Sequence, residues 1–148
     1  MLGYINFLDG NNTMDCELCQ AEGETLLFRD EKLRVILANE ADYPGFCRII
    51  WHDHVKEMSD LSDADRQHLF DWLMRTECAV RAVLAPDKVN LASLGNMVPH
   101  LHWHVIPRFA DDAHFPAPIW RPGSKRRLPR TRALIPAGWR LAVPSPSG

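Results

Sequence analysis

A chain of 148 residues, of which 46% are hydrophobic and 24% charged, is large enough to fold around one apolar core. No apolar run approaches the roughly 18 residues that cross a membrane, and the N-terminus lacks the basic start and long apolar stretch of a signal peptide. We therefore expect a cytoplasmic protein with no membrane contact, whose four cysteines are thiols or metal ligands rather than disulfides.

The two ends of the chain differ in composition from the middle. Residues 1–14 are polar and aperiodic, which predicts a flexible leader. The net charge of −2 conceals seven basic and no acidic side chains in the proline-rich residues 121–148. Such a tail is typically mobile, although a basic segment also suits nucleic acid or another anionic partner. One folded domain is predicted between them, at residues 15–120.

The first half of this domain predicts three short strands joined by turns. Residues 25–28 and residues 33–37 are rich in strand-forming side chains, and an Asp-Glu turn separates them. A third apolar run, residues 46–51, follows a Pro-Gly turn at residues 43–45. Antiparallel pairing of the three is the simplest arrangement.

Residues 62–85 change to a helical period. Apolar side chains recur there at spacings of three, four and seven: Leu69, Phe70, Leu73, Met74, Val80, Val83 and Leu84. Ser62 can cap the first turn and Pro86 ends the pattern, which predicts one long helix. Residues 88–92 return to an extended pattern, and residues 93–99 predict a loop.

Residues 100–108 carry the most informative pattern of the chain. His100, His102 and His104 alternate with apolar residues. Because side chains of a strand point alternately to opposite faces, the three imidazoles are expected to share one face. The other face then packs on the core through Leu101, Trp103 and Val105.

These elements together predict an α+β domain with a mostly antiparallel sheet and one long helix packed on one face. The helix would cover the apolar side of the last strand and leave the histidine side open. Cys47 and Cys78 are expected in the core. The remaining histidines are expected on the surface, namely His52, His68 and His114.

The alternating histidines, followed by two apolar residues, resemble the motif of the histidine triad (HIT) family. The order of features over residues 15–109 is similar too: Cys16-x-x-Cys19, a strand pair, the Pro-Gly turn, a strand ending near His54, the long helix, Asn90, Gly95-Asn96 and the triad. From Asn90 onward, the chain resembles bacterial HIT hydrolases of the diadenosine-polyphosphate hydrolase type. The resemblance implies a HIT-like fold, a nucleotide substrate and a homodimer.

The same resemblance implies that His102 attacks the α-phosphorus of a nucleoside phosphate, in a phosphoanhydride or a phosphoramidate, and forms a nucleotidyl-histidine intermediate. A neutral imidazole attacks only through a nitrogen that keeps its lone pair, so the other ring nitrogen should donate to a fixed acceptor such as a backbone carbonyl. His100 and His104 would orient His102 or bind the phosphate and leaving group, with His104 favoured as the phosphate contact. This chemistry demands no metal.

The phosphate also needs donors where its charge develops. The loop at 93–99 offers backbone N–H groups around Gly95, while Asn90 and Asn96 offer amides at positions that contact phosphate in the family. The alternative is that these residues only form a turn.

Two positions depart from the family pattern. Ala38 stands where relatives carry an Asp or Asn that binds the ribose, and Asn39 beside it is the candidate substitute. Phe46 stands where many relatives place a further histidine that supports the triad.

Cys16 and Cys19 alone do not complete a tetrahedral zinc site, since two thiolates leave two positions open. In zinc-containing relatives, the set is completed by histidines that correspond here to His54 and His100. A structural Cys2His2 zinc site and a pair of reduced, partly buried cysteines are therefore both open.

Two other functions compete with the nucleotide-directed hydrolase or transferase. Three histidines on one strand could bind a catalytic zinc that activates water. Alternatively, the protein binds a purine nucleotide without turnover, because Phe46 replaces a supporting histidine.

Overall fold

The computed structural model describes residues 13–123, which form a five-stranded sheet and one long helix. In chain order the elements are a 3-10 turn (Thr13–Asp15), α1 (Glu17–Gln20), β1 (Thr25–Arg29), β2 (Leu33–Leu37), β3 (Cys47–Trp51), a 3-10 turn (Met58–Asp60), α2 (Asp63–Leu84), β4 (Lys88–Ala92) and β5 (His102–Arg108). The predicted α+β fold is confirmed. Most of the predicted leader and tail lie outside the described residues.

The sheet is antiparallel throughout, with the strand order β1-β2-β3-β5-β4. Residues paired across two antiparallel strands point to the same face. In the β3–β5 pair, Ile50 lies opposite His102 and Arg48 opposite His104. We call the face that carries these residues the histidine face, and the opposite one, on which α2 packs, the helix face.

The helix face holds the main apolar core. Large side chains of β2, β3, β5 and α2 are nearly or fully buried there: Leu33, Val35, Ile49, Trp51, Leu69, Leu73, Val80 and Val105. Each contributes roughly 1.5–3 kcal/mol by leaving water. Cys47 is fully buried among them, as predicted. At the start of α2, the Ser62 hydroxyl accepts a hydrogen bond from the Asp65 backbone N–H at 3.2 Å.

The buried side of α2 differs from the predicted stripe. Three side chains of that stripe are about two-fifths exposed: Phe70, Met74 and Val83. Trp72 and Thr76 are buried instead, and the Trp72 ring stacks on Phe28 with 3.6 Å between ring centroids. A helix turns about 100° per residue, so Met74 and Cys78, each two positions from a buried residue, point away from the sheet. Cys78 is exposed for that reason, and its predicted core position is wrong.

The turn before β3 depends on a glycine. Gly45 has φ +86°, in the left-handed region that side chains with a Cβ rarely adopt. A Cβ at this position would also collide with the Leu84 side chain at the end of α2. The Pro-Gly turn therefore brings the loop between β2 and β3 against the helix.

After β5 the chain folds back over the histidine face. Arg108 donates from Nε to Asp112 Oδ2 at 2.7 Å and from Nη2 to the Ala117 carbonyl at 2.7 Å. Burial raises the pKa of Asp112, but the hydrogen bonds from Arg108 and from three backbone N–H groups outweigh it and lower that pKa to about 2. Within residues 13–123, no helix has the length and apolar character needed to span a bilayer.

Candidate functional site

The three histidines of the alternating motif lie close together but differ in position. His102 and His104 belong to β5, with 4.9 Å between their ring centroids, whereas His100 precedes the strand. All three side chains are buried, with 1%, 8% and 6% exposure for His100, His102 and His104. The expectation of an open histidine face is therefore wrong in this respect. Aromatic rings cover it, since His104 contacts both Phe46 and Trp120.

His102 is held in one tautomer. Its Nδ1 is hydrogen-bonded to the backbone carbonyl oxygen of His100. Because a carbonyl oxygen only accepts, Nδ1 must carry the proton and Nε2 keeps its lone pair. Burial lowers the pKa of His102, although this hydrogen bond partly opposes the effect. The imidazole is therefore neutral near pH 7 with Nε2 available for attack.

His104 lies between two aromatic rings. Its ring centroid lies 5.5 Å from that of Phe46 and 5.2 Å from that of Trp120. Burial, followed by the charges of His102 and Arg48, lowers the pKa of His104 to about 4. Its Nδ1 is buried and has no hydrogen-bond partner among residues 13–123. A substrate atom or a water molecule at this nitrogen would satisfy it.

Two sulfur and two nitrogen atoms converge beside the triad. Cys19 Sγ lies 3.3 Å from His54 Nδ1 and 3.4 Å from His100 Nδ1, and Cys16 Sγ lies 3.5 Å from His100 Nδ1. All four ligand atoms fall within 4.8 Å of one another. A tetrahedral zinc ion with its usual bond lengths separates its ligands by roughly 3.3–3.8 Å. In the described part of the chain, this is the single cluster of its kind, and its donor set fits zinc.

His100 connects this cluster to His102. Its Nε2 donates to the Trp51 carbonyl, which leaves the Nδ1 lone pair directed toward the two cysteines. Its own carbonyl accepts the hydrogen bond from His102. Burial, with two cysteines side by side, raises the pKa of the Cys19 thiol to about 11, an effect that a bound dication would reverse.

The predicted phosphate-binding residues occupy different surroundings. Asn90 lies on β4 opposite Ile106, on the histidine face, and its Oδ1 accepts from Arg108 Nη1 at 2.8 Å. Gly95 has φ +74° in the loop between β4 and β5, and Asn96 beside it is exposed. Asn39 is exposed just beyond the end of β2.

Sequence reasoning missed three neighbours of the triad. The Ser93 hydroxyl donates to the His102 carbonyl at 2.7 Å, at the start of the predicted loop. Arg48 lies directly opposite His104, which only the strand register reveals. Trp120 reaches His104 from the segment after β5, and its position directly before the predicted tail gave no indication of that contact.

The other histidines are less exposed than predicted. His114 is half-buried, and its Nδ1 is hydrogen-bonded to the Tyr43 hydroxyl. His68 lies in the second turn of α2, and its Nε2 is 2.7 Å from Asp30 Oδ2. His52 is also half-buried. None of these three belongs to the triad.

Comparisons with known proteins identify the family of the chain. The family model described as HIT domain matches residues 21–111. A curated relative, "AP-4-A phosphorylase" of Mycobacterium tuberculosis (strain H37Rv), is 27% identical over 130 residues, which cover 80% of this chain and 65% of the relative. The chain thus spans less than two thirds of that protein's length.

Solved structures share the fold. A histidine triad protein from Bradyrhizobium japonicum superposes with a TM-score of 0.63 and 29% identity, covering 72% of this chain and 78% of the other. A histidine triad protein from Marinobacter aquaeolei VT8 gives a TM-score of 0.62 and 27% identity, covering 72% and 76% of the two chains.

Proposed function

Because the chain belongs to the HIT domain family, we propose that it is a nucleotide-binding hydrolase or transferase that acts at the α-phosphate of a nucleoside phosphate. The observation that carries the proposal is the hydrogen bond between His102 Nδ1 and the His100 carbonyl oxygen, which specifies the tautomer of the ring. Its Nδ1 proton is held by the His100 carbonyl, and Nε2 keeps the lone pair that a nucleophile needs.

The reaction proceeds in two displacements at phosphorus. The Nε2 lone pair of His102 forms an N–P bond while the P–O or P–N bond to the leaving group breaks and that group takes the electron pair. An acceptor oxygen then bonds to phosphorus, the N–P electron pair returns to Nε2, and the acceptor's proton passes to bulk water, from which the leaving group takes up its proton. Water as acceptor gives hydrolysis, and inorganic phosphate gives phosphorolysis. The name of the relative "AP-4-A phosphorylase" supports diadenosine polyphosphates as substrates and phosphate as an acceptor to be tested.

Several residues would bind the substrate. The Oδ1 atom of Asn90 already accepts a hydrogen bond from Arg108. The Asn90 NH2 group is therefore left to donate toward phosphate. Backbone N–H groups at Gly95 and the Asn96 amide supply further donors. The Nδ1 of His104, which has no hydrogen-bond partner in the described residues, fits a contact with phosphate or the leaving group. For the ribose, Asn39 remains the candidate.

A structural zinc ion would be held by Cys16, Cys19, His54 and His100. Its role would be to fix the His100 ring and, through the His100 carbonyl, the orientation of His102. Metal analysis tests this directly: we expect one zinc per chain, and a Cys19→Ser variant should lose more than about 90% of it. Full zinc content in that variant would contradict the assignment.

A homodimer is also proposed, and its test is the mass of the protein in solution.

Mass spectrometry of the quenched reaction tests the proposed function. With diadenosine tetraphosphate, with and without inorganic phosphate, we expect an adenylyl adduct on a peptide containing His102. The His102→Ala variant should lose turnover by at least about 1000-fold. His68→Ala serves as the matched control, because its ring contacts Asp30 outside the triad. Turnover that survives His102→Ala would reject the mechanism.

Each of the two competing functions predicts a different outcome when binding and metal dependence are measured beside turnover. Nucleotide binding without turnover on any substrate would favour the non-catalytic protein, in which Phe46 packs against His104 in place of a supporting histidine. A catalytic zinc held by the triad would make activity depend on metal. His100 Nδ1 lies among Cys16, Cys19 and His54, which leaves only two of the three triad histidines for such an ion.

A further inference from the structure

Arg48 is a cation on the histidine face that the chemistry above does not use. It lies on β3 between Ile36 of β2 and His104 of β5, and all three point to the same side. Its guanidinium carbon lies 5.3 Å from the centroid of the Phe46 ring, and that ring contacts His104. Arg48 therefore stands next to the imidazole that neighbours the nucleophile.

The charge of Arg48 is poorly compensated. Its ion pair joins Nη2 to Glu40 Oε1 at 3.7 Å, beyond hydrogen-bond distance, and the Glu40 side chain is 51% exposed. Arg48 Nε is buried and has no hydrogen-bond partner in the described part of the chain. A buried donor without a partner is costly, so such a group is expected to meet an acceptor from outside the protein.

Two buried arginines of this face, Arg34 and Arg108, behave differently. Arg34 Nε donates to Glu24 Oε2 at 2.6 Å, and Arg108 Nε donates to Asp112 Oδ2 at 2.7 Å. Both guanidinium groups are thus occupied by carboxylates of the protein. Among these three arginines, Arg48 is the one whose Nε has no partner in the described residues and whose side chain, at 31% exposure, a ligand can reach.

We propose that Arg48 binds the phosphate chain of the substrate beyond the attacked phosphorus, and thereby selects nucleotides with an extended polyphosphate chain over those with a single phosphorus. This inference rests on the proposed function and specifies its substrate class. A guanidinium group suits the role because it binds phosphate oxygens through two parallel hydrogen bonds. A phosphoramidate has no phosphate beyond the attacked one, so Arg48 should contribute little to its binding.

The test compares two substrates in four proteins. The catalytic efficiency kcat/KM is measured with diadenosine tetraphosphate and with adenosine 5′-phosphoramidate for wild type, Arg48→Met, Arg48→Lys and Arg75→Met. Arg75 is the matched control, because its guanidinium lies 5.2 Å from the Trp72 ring on α2, away from the histidine face.

Arg48→Met should lower kcat/KM for the tetraphosphate roughly 10- to 100-fold and for the phosphoramidate less than about threefold. Arg48→Lys should restore part of the loss, because the charge returns without the bidentate geometry. Arg75→Met should change neither. Equal losses on both substrates, or no loss on the tetraphosphate, would overturn the proposal.

A binding measurement separates this inference from the proposed chemistry. Calorimetry on His102→Ala, with and without Arg48→Met, compares the affinities for diadenosine tetraphosphate and AMP. If turnover is absent in wild type, the nucleophile proposal fails, while a selective loss of tetraphosphate affinity still supports Arg48. Unchanged affinity for both ligands contradicts the role of Arg48 whatever the chemistry. Circular dichroism confirms that each variant is folded.

Discussion

The two faces of the sheet are built from different kinds of side chain. Against α2 the sheet buries almost only apolar groups, with Thr76 bonded to the Trp72 carbonyl as the polar exception. The other six buried polar residues of the described chain lie on the histidine side: Arg34, His100, His102, His104, Arg108 and Asp112. Burying polar groups costs free energy unless each finds a partner. The helix face is thus almost wholly apolar, whereas the histidine face combines apolar clusters with buried polar groups that are available for chemistry.

Breaking the buried ion pair on the histidine face should have the largest effect on stability. Asp112→Asn leaves the Arg108 charge buried without its carboxylate, which should cost about 3–5 kcal/mol of unfolding free energy in urea titrations at pH 7. The wild-type contribution is present above a pH of about 3.8 and is lost as the pH falls toward 2. Asp63→Asn, in an exposed ion pair with Arg66, should cost under about 1 kcal/mol. Equal costs for the two variants would contradict this account.

A cavity on the helix face should lower stability without altering chemistry. Leu69→Ala removes a fully buried side chain of α2 and should cost about 2–5 kcal/mol. The activity per folded molecule should stay within about twofold of wild type, since Leu69 lies on the side of the sheet away from the triad. Denaturant unfolding and active-site titration measure the two quantities. A large loss of kcat in this folded variant would mean that the two faces are coupled.

The histidine face should make the fold sensitive to mild acid. His104 has its pKa lowered to about 4, whereas in the unfolded chain it titrates near 6.5. The unfolded state therefore takes up a proton first, and stability falls as the pH drops from 6.5 toward 4, by up to roughly 3 kcal/mol for this residue. His104→Gln should show a shallower dependence of unfolding free energy on pH in that window. An unchanged slope would show that His104 titrates normally in the folded protein.

The smallest expected effects come from removing two single hydrogen bonds, one beside the triad and one at the start of α2. Ser93→Ala removes the bond to the His102 carbonyl, and Ser62→Ala removes the cap of α2. Each should cost about 1 kcal/mol of stability. Only Ser93→Ala should also lower kcat/KM, by about two- to fivefold, because it adjoins the nucleophile. If Ser62→Ala reduces activity equally, then Ser93 has no special role.

The sequence predicted the identity of the two faces because strand alternation is a local property. The period of two in residues 100–108 is enough to separate the imidazoles from Leu101 and Val105, and both apolar side chains are buried in the core. The cysteine and histidine cluster was predicted through the family resemblance. The backbone acceptor for His102 was expected on chemical grounds, and the structure supplies it from the residue two positions earlier.

Features that depend on strand register or on helix rotation could not be predicted from the sequence. The opposition of Arg48 and His104 is decided by which residues of β3 and β5 pair, and no local pattern specifies that pairing. The rotation of α2 buries Trp72 and leaves Phe70 about two-fifths exposed beside Trp103, although both are large and apolar. Trp120 covers His104 from a segment that hydrogen bonds from Arg108 to Asp112 and Ala117 hold against the sheet, and no local pattern specifies these long-range contacts.

The tautomer of His102 can be measured directly by nitrogen NMR of the imidazole rings in the folded protein at pH 7. We predict a neutral ring with the proton on Nδ1 and a lone pair on Nε2, as the bond to the His100 carbonyl requires. A ring protonated on Nε2, or on both nitrogens, would contradict the account, because His102 would then have no lone pair directed at phosphorus.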